Sequence, residues 1–176
     1  VGKGDRLLVS GASGGVGSAV IQLAQVRGAE IIAVTSAAKA QSILDLGATQ
    51  TIDRGTSLVQ ALGKNSVDVV VDLVAGDQWP QFLEILRPKG RYAVSGAIAG
   101  PLVELDVRTL YLKDLSFFGC TVLEPEVFPN LIKCIESERI RPLVAQVFPL
   151  EKIAEAQTAF LSKTHIGKIV LQVAGA

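Results

Sequence analysis

Arg6-Leu7-Leu8-Val9-Ser10-Gly11-Ala12-Ser13-Gly14-Gly15-Val16-Gly17 is a short apolar run that breaks into a glycine-dense turn. The run has the length and composition of a buried strand. After the turn, Val16, Val20, Leu23 and Ala24 recur at helical spacing, and Gly28 stands where a C-terminal cap belongs. A glycine motif is informative when it closes a strand and opens a helix. Ala12 to Gly17 fits G-x-G-x-x-G with Ala12 in the place of the first glycine. On that reading Gly14 lets the main chain approach a pyrophosphate, and Gly17 lets the helix pack on the strand with no side chain between them. The free N–H groups and dipole of the opening helix attract the anion. A tight turn with no ligand would use the same residues; the strand-to-helix context favours the ligand. Ser18 and Ala19 follow Gly17 where a P-loop needs lysine, and no G-x-S-x-G nucleophile elbow occurs.

Working outward, Ile31–Thr35 reads as a second strand, Ala40, Ile43 and Leu44 as a helix stopped by Gly47, and Thr49–Asp53 as a third strand. Leu58, Ala61 and Leu62 make a short helix ending at Gly63, and Val67–Leu73 is a fourth strand rich in β-branched residues. Trp79, Phe82, Leu83 and Leu86 share one helix face, Arg91–Ser95 is a fifth strand, and Leu115–Val122 a sixth, with an irregular stretch around Pro101 between the last two. Strand and helix alternate about every 20 residues, as the crossovers between parallel strands require. The expected fold class is α/β: a doubly wound parallel (Rossmann) sheet of about six strands, with ligands beyond the carboxyl ends of the strands, near the switch point beside the first. After position 122 the pattern changes. Phe128, Leu131, Ile132 and Ile135 mark a helix, Leu143–Phe148 a strand, Glu151–Leu161 a helix and Lys168–Val173 a terminal strand.

Composition narrows the function classes. The 176 residues carry 17 Lys plus Arg against 17 Asp plus Glu, a balance that argues against a dominant nucleic-acid or anionic-membrane surface. Hydrophobic residues make up 49% and charged residues 19%, which excludes disorder for most of the chain. A mean hydropathy of +0.41 fits a parallel sheet buried on both faces, an apolar contact surface, or both. Leu7–Val26 is uncharged, but its four glycines in seven positions and its Ser and Gln residues argue against a membrane span. No signal-peptide pattern opens the chain, and the expected compartment is the cytoplasm. Two cysteines and one histidine give no metal-site spacing. A start at Val1 with no methionine reads as a piece of a longer protein.

Selectivity for NAD usually rests on an acid at the end of the second strand. Here that place reads Thr35-Ser36-Ala37-Ala38-Lys39, with no carboxylate to repel a 2′-phosphate and a serine and a lysine to accept one. Arg54, past the third strand, adds a cation, or is an ordinary solvated charge. Two charge-assisted hydrogen bonds at roughly 1.5–3 kcal/mol each favour NADPH over NADH by about 10²- to 10⁴-fold.

These stretches, with Leu46-Gly47-Ala48, Val67-Asp68-Val69-Val70, Leu86-Arg87-Pro88-Lys89-Gly90-Arg91, Phe148-Pro149-Leu150 and His165-Ile166-Gly167-Lys168-Ile169-Val170, resemble the medium-chain dehydrogenase/reductase superfamily. The likeness is to its quinone oxidoreductase and enoyl reductase branch, of zinc-type alcohol dehydrogenase kind, and covers nearly the whole chain. The resemblance implies a cofactor domain over residues 1–122 and, over 123–176, a segment returning to a GroES-like catalytic domain. The family's zinc ligands, where zinc is used, lie in the part of that domain outside this sequence. By position, Gly14, Gly15, Val16 and Gly17 meet the pyrophosphate and Ser36 and Lys39 the 2′-phosphate. Leu73, Val74 and Ala75 line the adenosine-to-ribose groove, and Ser95, Gly96 and Ala97 approach the nicotinamide. Phe118 and Gly119 back the nicotinamide, and Lys168 contacts cofactor phosphate. Arg54 stands where tyrosine is frequent in the quinone oxidoreductases.

The implied activity is hydride transfer from NADPH to a carbonyl, quinone or conjugated enone, with no proton donor identified among these residues. A nucleotide-binding module without catalysis, serving as a redox sensor or structural protein, fits the same residues. Leu115–Thr121 is apolar and uncharged, so an edge position predicts a homodimer through it. Tyr111 and Lys113 read as surface residues, His165 as a loop residue, Cys120 as a core thiol, and Asp68 and Asp72 as solvated strand ends.

Overall fold

The computed structural model describes residues 1–173. In chain order they form β1 (Arg6–Val9), α1 (Gly15–Val26), β2 (Glu30–Thr35), α2 (Ala40–Asp45), β3 (Gln50–Asp53), α3 (Leu58–Leu62), β4 (Val67–Asp72), α4 (Trp79–Ile85), β5 (Leu86–Val94), α5 (Val107–Leu112) and β6 (Ser116–Gly119). Then follow α6 (Val127–Glu136), β7 (Val144–Pro149), α7 (Ile153–Leu161) and β8 (Lys168–Gln172). The six strands β1–β6 make one sheet in the order β3-β2-β1-β4-β5-β6, all parallel. The chain walks outward from β1 to β3, crosses back beside β1 and walks outward again. That reversal leaves a crevice between the ends of β1 and β4.

Period-two alternation sends the strand residues to two cores. Leu7, Val9, Ile31 and Ala33 pack against Ile21 and Ala24 of α1 and Ile43 of α2. Leu8, Ile32, Val34 and Val70 pack against Leu58, Trp79, Phe82, Leu83 and Ile85 of α3 and α4. Every one of these side chains is buried. Burial on both faces is what the near-continuous apolar strands require, and it accounts for the high hydropathy.

Four departures from the sequence reading have local causes. Leu86 is not on the face of α4 but opens β5, because Pro88 biases Arg87 away from helical geometry. Lys89 takes φ 64° and the β4–β5 register shifts between Val67 and Val69. The stretch around Pro101 leads into the helix α5, capped by Asp106 accepting from the Arg108 amide. Its single turn and a half carried too little periodicity to read. The sixth strand is shorter than expected, Ser116–Gly119, and occupies the sheet edge with all four residues exposed. Cys120, just beyond it, is exposed and not a core thiol, because an edge strand has no neighbour to cover its end.

The elements after β6 do not extend this sheet. β7 and β8 pair in parallel as a separate two-stranded sheet joined by α7. It meets the larger one through a bridge between Gly14 and Gly167 and through Gln22, whose side chain bonds the main chain of Arg141 in both directions. Among the described residues no helix is long and apolar enough to cross a membrane.

Candidate functional site

A cleft of about 620 Å³ opens beyond the carboxyl ends of β1 to β5. Five of its walls come from the loops that follow strands, and a further one from residues 160–167. The Gly11–Gly17 turn follows β1, Thr35 ends β2 with Ser36 and Lys39 after it, and Arg54 follows β3. Leu73 and Val74 follow β4, and Ser95 and Gly96 follow β5. The structure therefore gathers Gly14, Gly15, Val16, Gly17, Ser36, Lys39, Arg54, Val74, Ser95 and Gly96 into one site. Phe118 and Gly119 lie on the exposed edge strand, away from this lining. Lys168 crosses the turn: a Cβ on Gly15 would lie 2.5 Å from its Nζ.

The glycines of the turn divide by what surrounds them. A Cβ on Gly17 would collide with the Gly11 carbonyl and lie 2.7 Å from Ala12 Cα, so α1 sits this close to β1 only without a side chain there. At Gly14 the only neighbour is the Gly11 carbonyl oxygen at 3.4 Å, an ordinary contact, and φ is −74°. Neither packing nor backbone geometry within the chain calls for glycine at 14. The bare space above it is a cradle that a side chain would fill, at the N-cap of the twelve-residue helix α1. A second sign of a missing partner is Thr35, 5% exposed, whose Oγ1 has no hydrogen-bond partner. Buried hydroxyls are nearly always satisfied, so the exception marks a place for a ligand group.

The charge in the cleft is one-sided. Lys39, Arg54 and Lys163 line it, and no Asp or Glu does among the described residues. Lys39 Nζ donates to the carbonyls of Lys163 (2.6 Å) and His165 (2.7 Å) and reaches Ser13 Oγ at 3.5 Å. Burial first, then the nearby Arg54 and Lys163 cations, hold its pKa below the ordinary lysine value. His165 is a loop residue as expected, but it is among the residues lining the cleft and its Nδ1 is buried without a partner. Burial and the Lys39 and Lys163 charges lower its pKa, which favours the neutral imidazole.

Below the cleft floor lies a network that single-residue reading missed. Asp72 is fully buried, not a solvated strand end. Its Oδ1 accepts from Ser10 Oγ (2.5 Å) and from the amides of Val74 (2.9 Å) and Ala75 (3.0 Å), and its Oδ2 accepts from Tyr92 Oη (2.6 Å). Ser10 Oγ in turn accepts from the Leu73 amide at 2.8 Å. One carboxylate thus ties the ends of β1, β4 and β5 together and holds the Leu73–Ala75 loop, where Ala75 has φ 54°. Burial and the Asp72 hydrogen bond raise the Tyr92 pKa, so the phenol stays protonated and donating.

Two other expectations change. Lys113 is not a free surface residue; its Nζ donates to the carbonyls of Leu83 (2.7 Å) and Glu84 (3.2 Å), closing the end of α4, while Tyr111 is exposed. Asp68 sits at the opposite end of the sheet, paired with Arg87 at 2.9 Å and the Arg6 amide at 2.8 Å. Among the described residues no group of three or more His, Cys, Asp or Glu is placed to hold a metal ion.

A doubly wound parallel sheet with a glycine turn and a cleft at its switch point defines the class: a Rossmann-type α/β unit. Comparison with known proteins narrows it. The profile of the zinc-binding dehydrogenase family matches residues 15–137. The chain belongs to that family and corresponds to the cofactor-binding portion of the medium-chain dehydrogenase/reductase superfamily. It is 30% identical to an acryloyl-coenzyme A reductase of Metallosphaera sedula over 96% of this chain and 51% of that protein. It is 28% identical to a quinone oxidoreductase of Sus scrofa over 97% of this chain and 55% of that protein. A crystal structure of a putative alcohol dehydrogenase from Sinorhizobium meliloti superposes with a TM-score of 0.92 at 46% identity, covering 98% of this chain and 49% of that one. The chain spans about half the length of the relatives it matches.

Proposed function

We propose that this chain is the NADPH-binding part of an oxidoreductase whose intact form reduces a carbonyl, quinone or conjugated enone. The observation that carries this reading is the cleft itself: a glycine-rich turn open above Gly14 at a helix start, beside three cations and, among the described residues, no carboxylate. The turn suits a pyrophosphate and the cations suit a 2′-phosphate, which NADH lacks. The relatives' names, a quinone reductase and a reductase of an α,β-unsaturated thioester, supply the substrate class.

In this reading residues 1–122 form the cofactor unit and residues 123–176 return toward a catalytic domain. Gly14 to Gly17 bind the pyrophosphate, with Lys168 above Gly15. Ser36, Lys39 and Arg54 bind the 2′-phosphate. Val74 orients the ribose through a loop that Asp72 fixes. Ser95 and Gly96 orient the nicotinamide, whereas Ala97, Phe118 and Gly119 stand outside the residues that line the cleft. When bound, NADPH supplies the hydride. The protein supplies position and electrostatics, and these residues include no group that we assign as proton donor.

Fluorescence titration of the intact protein with NADPH and NADH tests the cofactor. With two charge-assisted bonds to the extra phosphate, NADPH binds about 10²-fold tighter or better; equal affinities overturn the assignment. Oxidation of NADPH must then follow addition of a quinone, enone or aldehyde. Binding without turnover on any of these supports a non-catalytic nucleotide module instead.

The exposed edge strand β6 gives a second proposal, a homodimer through Leu115–Thr121. Phe117 and Phe118 are 36% and 49% exposed on a strand whose outer hydrogen-bonding edge faces no other strand of the sheet. Sedimentation velocity of the intact protein is expected to show a dimer, and a monomer at high concentration refutes the pairing.

A further inference from the structure

We infer that Lys163, far along the chain from the glycine turn, is a specificity-determining residue of the same cleft: it adds a third cation to the 2′-phosphate subsite, and the 162–167 segment docks with the nucleotide. The inference rests on the cofactor reading above and extends it to a residue that the sequence did not single out.

The segment after α7 is fastened across the mouth of the turn. The Gly167 amide donates to the Ser13 carbonyl at 3.0 Å, and Gly167 forms a β-bridge with Gly14. Gly167 has φ 87° and its Cβ position lies 2.5 Å from the Leu143 carbonyl oxygen, so glycine is required for the segment to lie this close. Lys39 completes the fastening through the carbonyls of Lys163 and His165. An ammonium has three hydrogens. Two are used on these carbonyls, and the third has only Ser13 Oγ at 3.5 Å, which leaves it free for a stronger acceptor.

Lys163 itself is held without an anion. Its Nζ stands over the Phe160 ring, 3.6 Å from the centroid, and it forms no ion pair with an acid among the described residues. Phe160 also lines the cleft, so the cation–π contact keeps the ammonium at its wall. Lys163 lies close enough to Lys39 to lower its pKa, as does Arg54. Three like charges gathered around a partly buried space repel one another until an anion enters. Thr35 Oγ1, buried and unpartnered, offers a neutral hydrogen bond in the same cleft. The set matches a phosphate monoester dianion and gives nothing comparable to a bare 2′-hydroxyl.

The test uses the intact protein, with equilibrium binding of NADPH, NADH and 2′,5′-ADP as the readout. Lys163→Met keeps the stem over Phe160 and removes the charge. It is expected to weaken NADPH and 2′,5′-ADP about tenfold, as loss of one charge-assisted bond implies, with NADH unchanged. Lys163→Arg is expected to restore most of the loss. Equal weakening of NADPH and NADH, or no weakening of either, overturns the inference while leaving the cofactor reading standing. Failure of the wild-type protein to bind either nucleotide overturns both. A second measurement needs no variant: tryptic cleavage after Lys163 in the wild-type protein is expected to slow with NADPH and not with an equally saturating concentration of NADH. Equal protection by the two nucleotides, or none, counts against docking through the phosphate.

Discussion

Gly14→Ala is expected to leave the protein folded and to remove most of its nucleotide affinity. The backbone at 14 is already in a conformation open to any residue, and the new methyl meets nothing closer than 3.4 Å. Substituting glycine by alanine at such a site changes stability by about +0.4–1 kcal/mol through the unfolded chain. Thermal melting should therefore stay level or rise slightly. The methyl instead occupies the space over the helix start, where a pyrophosphate oxygen would contact the main chain, and a loss of at least about 2 kcal/mol, some thirtyfold in Kd, is the expected scale. Gly17→Ala serves as the contrast. Its methyl runs into main-chain atoms of Gly11 and Ala12, which cannot rotate away. Overpacking of this kind costs about 1–3 kcal/mol, so the melting temperature falls by several degrees and binding falls with it. Calorimetry of both variants, with and without NADPH, separates the roles. An unaltered Kd in Gly14→Ala would mean that no anion nests at the turn.

Asp72→Ala is expected to be the most destabilising single change. It strips the acceptor from Ser10, Tyr92 and the Val74 and Ala75 amides at once, in a place that excludes water. Each stranded donor costs about 1–3 kcal/mol, and partial relaxation still leaves roughly 3–5 kcal/mol in total. For a chain of this size that corresponds to a melting temperature lower by about 10 °C or more. Tyr92→Phe removes one bond and should cost about 1.5–3 kcal/mol. The two effects are not additive, because Tyr92 has no carboxylate to lose once Asp72 is gone. A double-mutant cycle read by chemical denaturation measures that coupling. Additive losses would show that the phenol and the carboxylate act independently.

The parts of the fold that local pattern governs were legible. The Arg6–Val9 run, the glycine turn and the β-branched Val67–Asp72 stretch each carry their own periodicity, and their order sets the sheet. The residues that line the cleft after β1 to β5 could be named because each stands within a few residues of a strand end. What escaped depends on distance along the chain. Asp72 resembles any acid at a strand terminus until Ser10 and Tyr92, one from each neighbouring strand, are seen beside it. Lys113 looks solvated until its side chain is traced to the end of α4. Lys163 and His165 join the site only because residues 163–167 lie along the turn at 11–17, a contact that no local window contains.

The bridge between Gly14 and Gly167 also orders events during synthesis on the ribosome. All six strands of the large sheet are available once residue 119 has emerged, so that sheet has every pairing partner it needs while translation continues. The groove's last wall arrives only with Gly167, about 150 residues after the bend it adjoins, and joining ends so far apart carries a larger entropic cost than any pairing between neighbouring strands. A nascent chain stalled before that point presents a finished sheet with an open pocket.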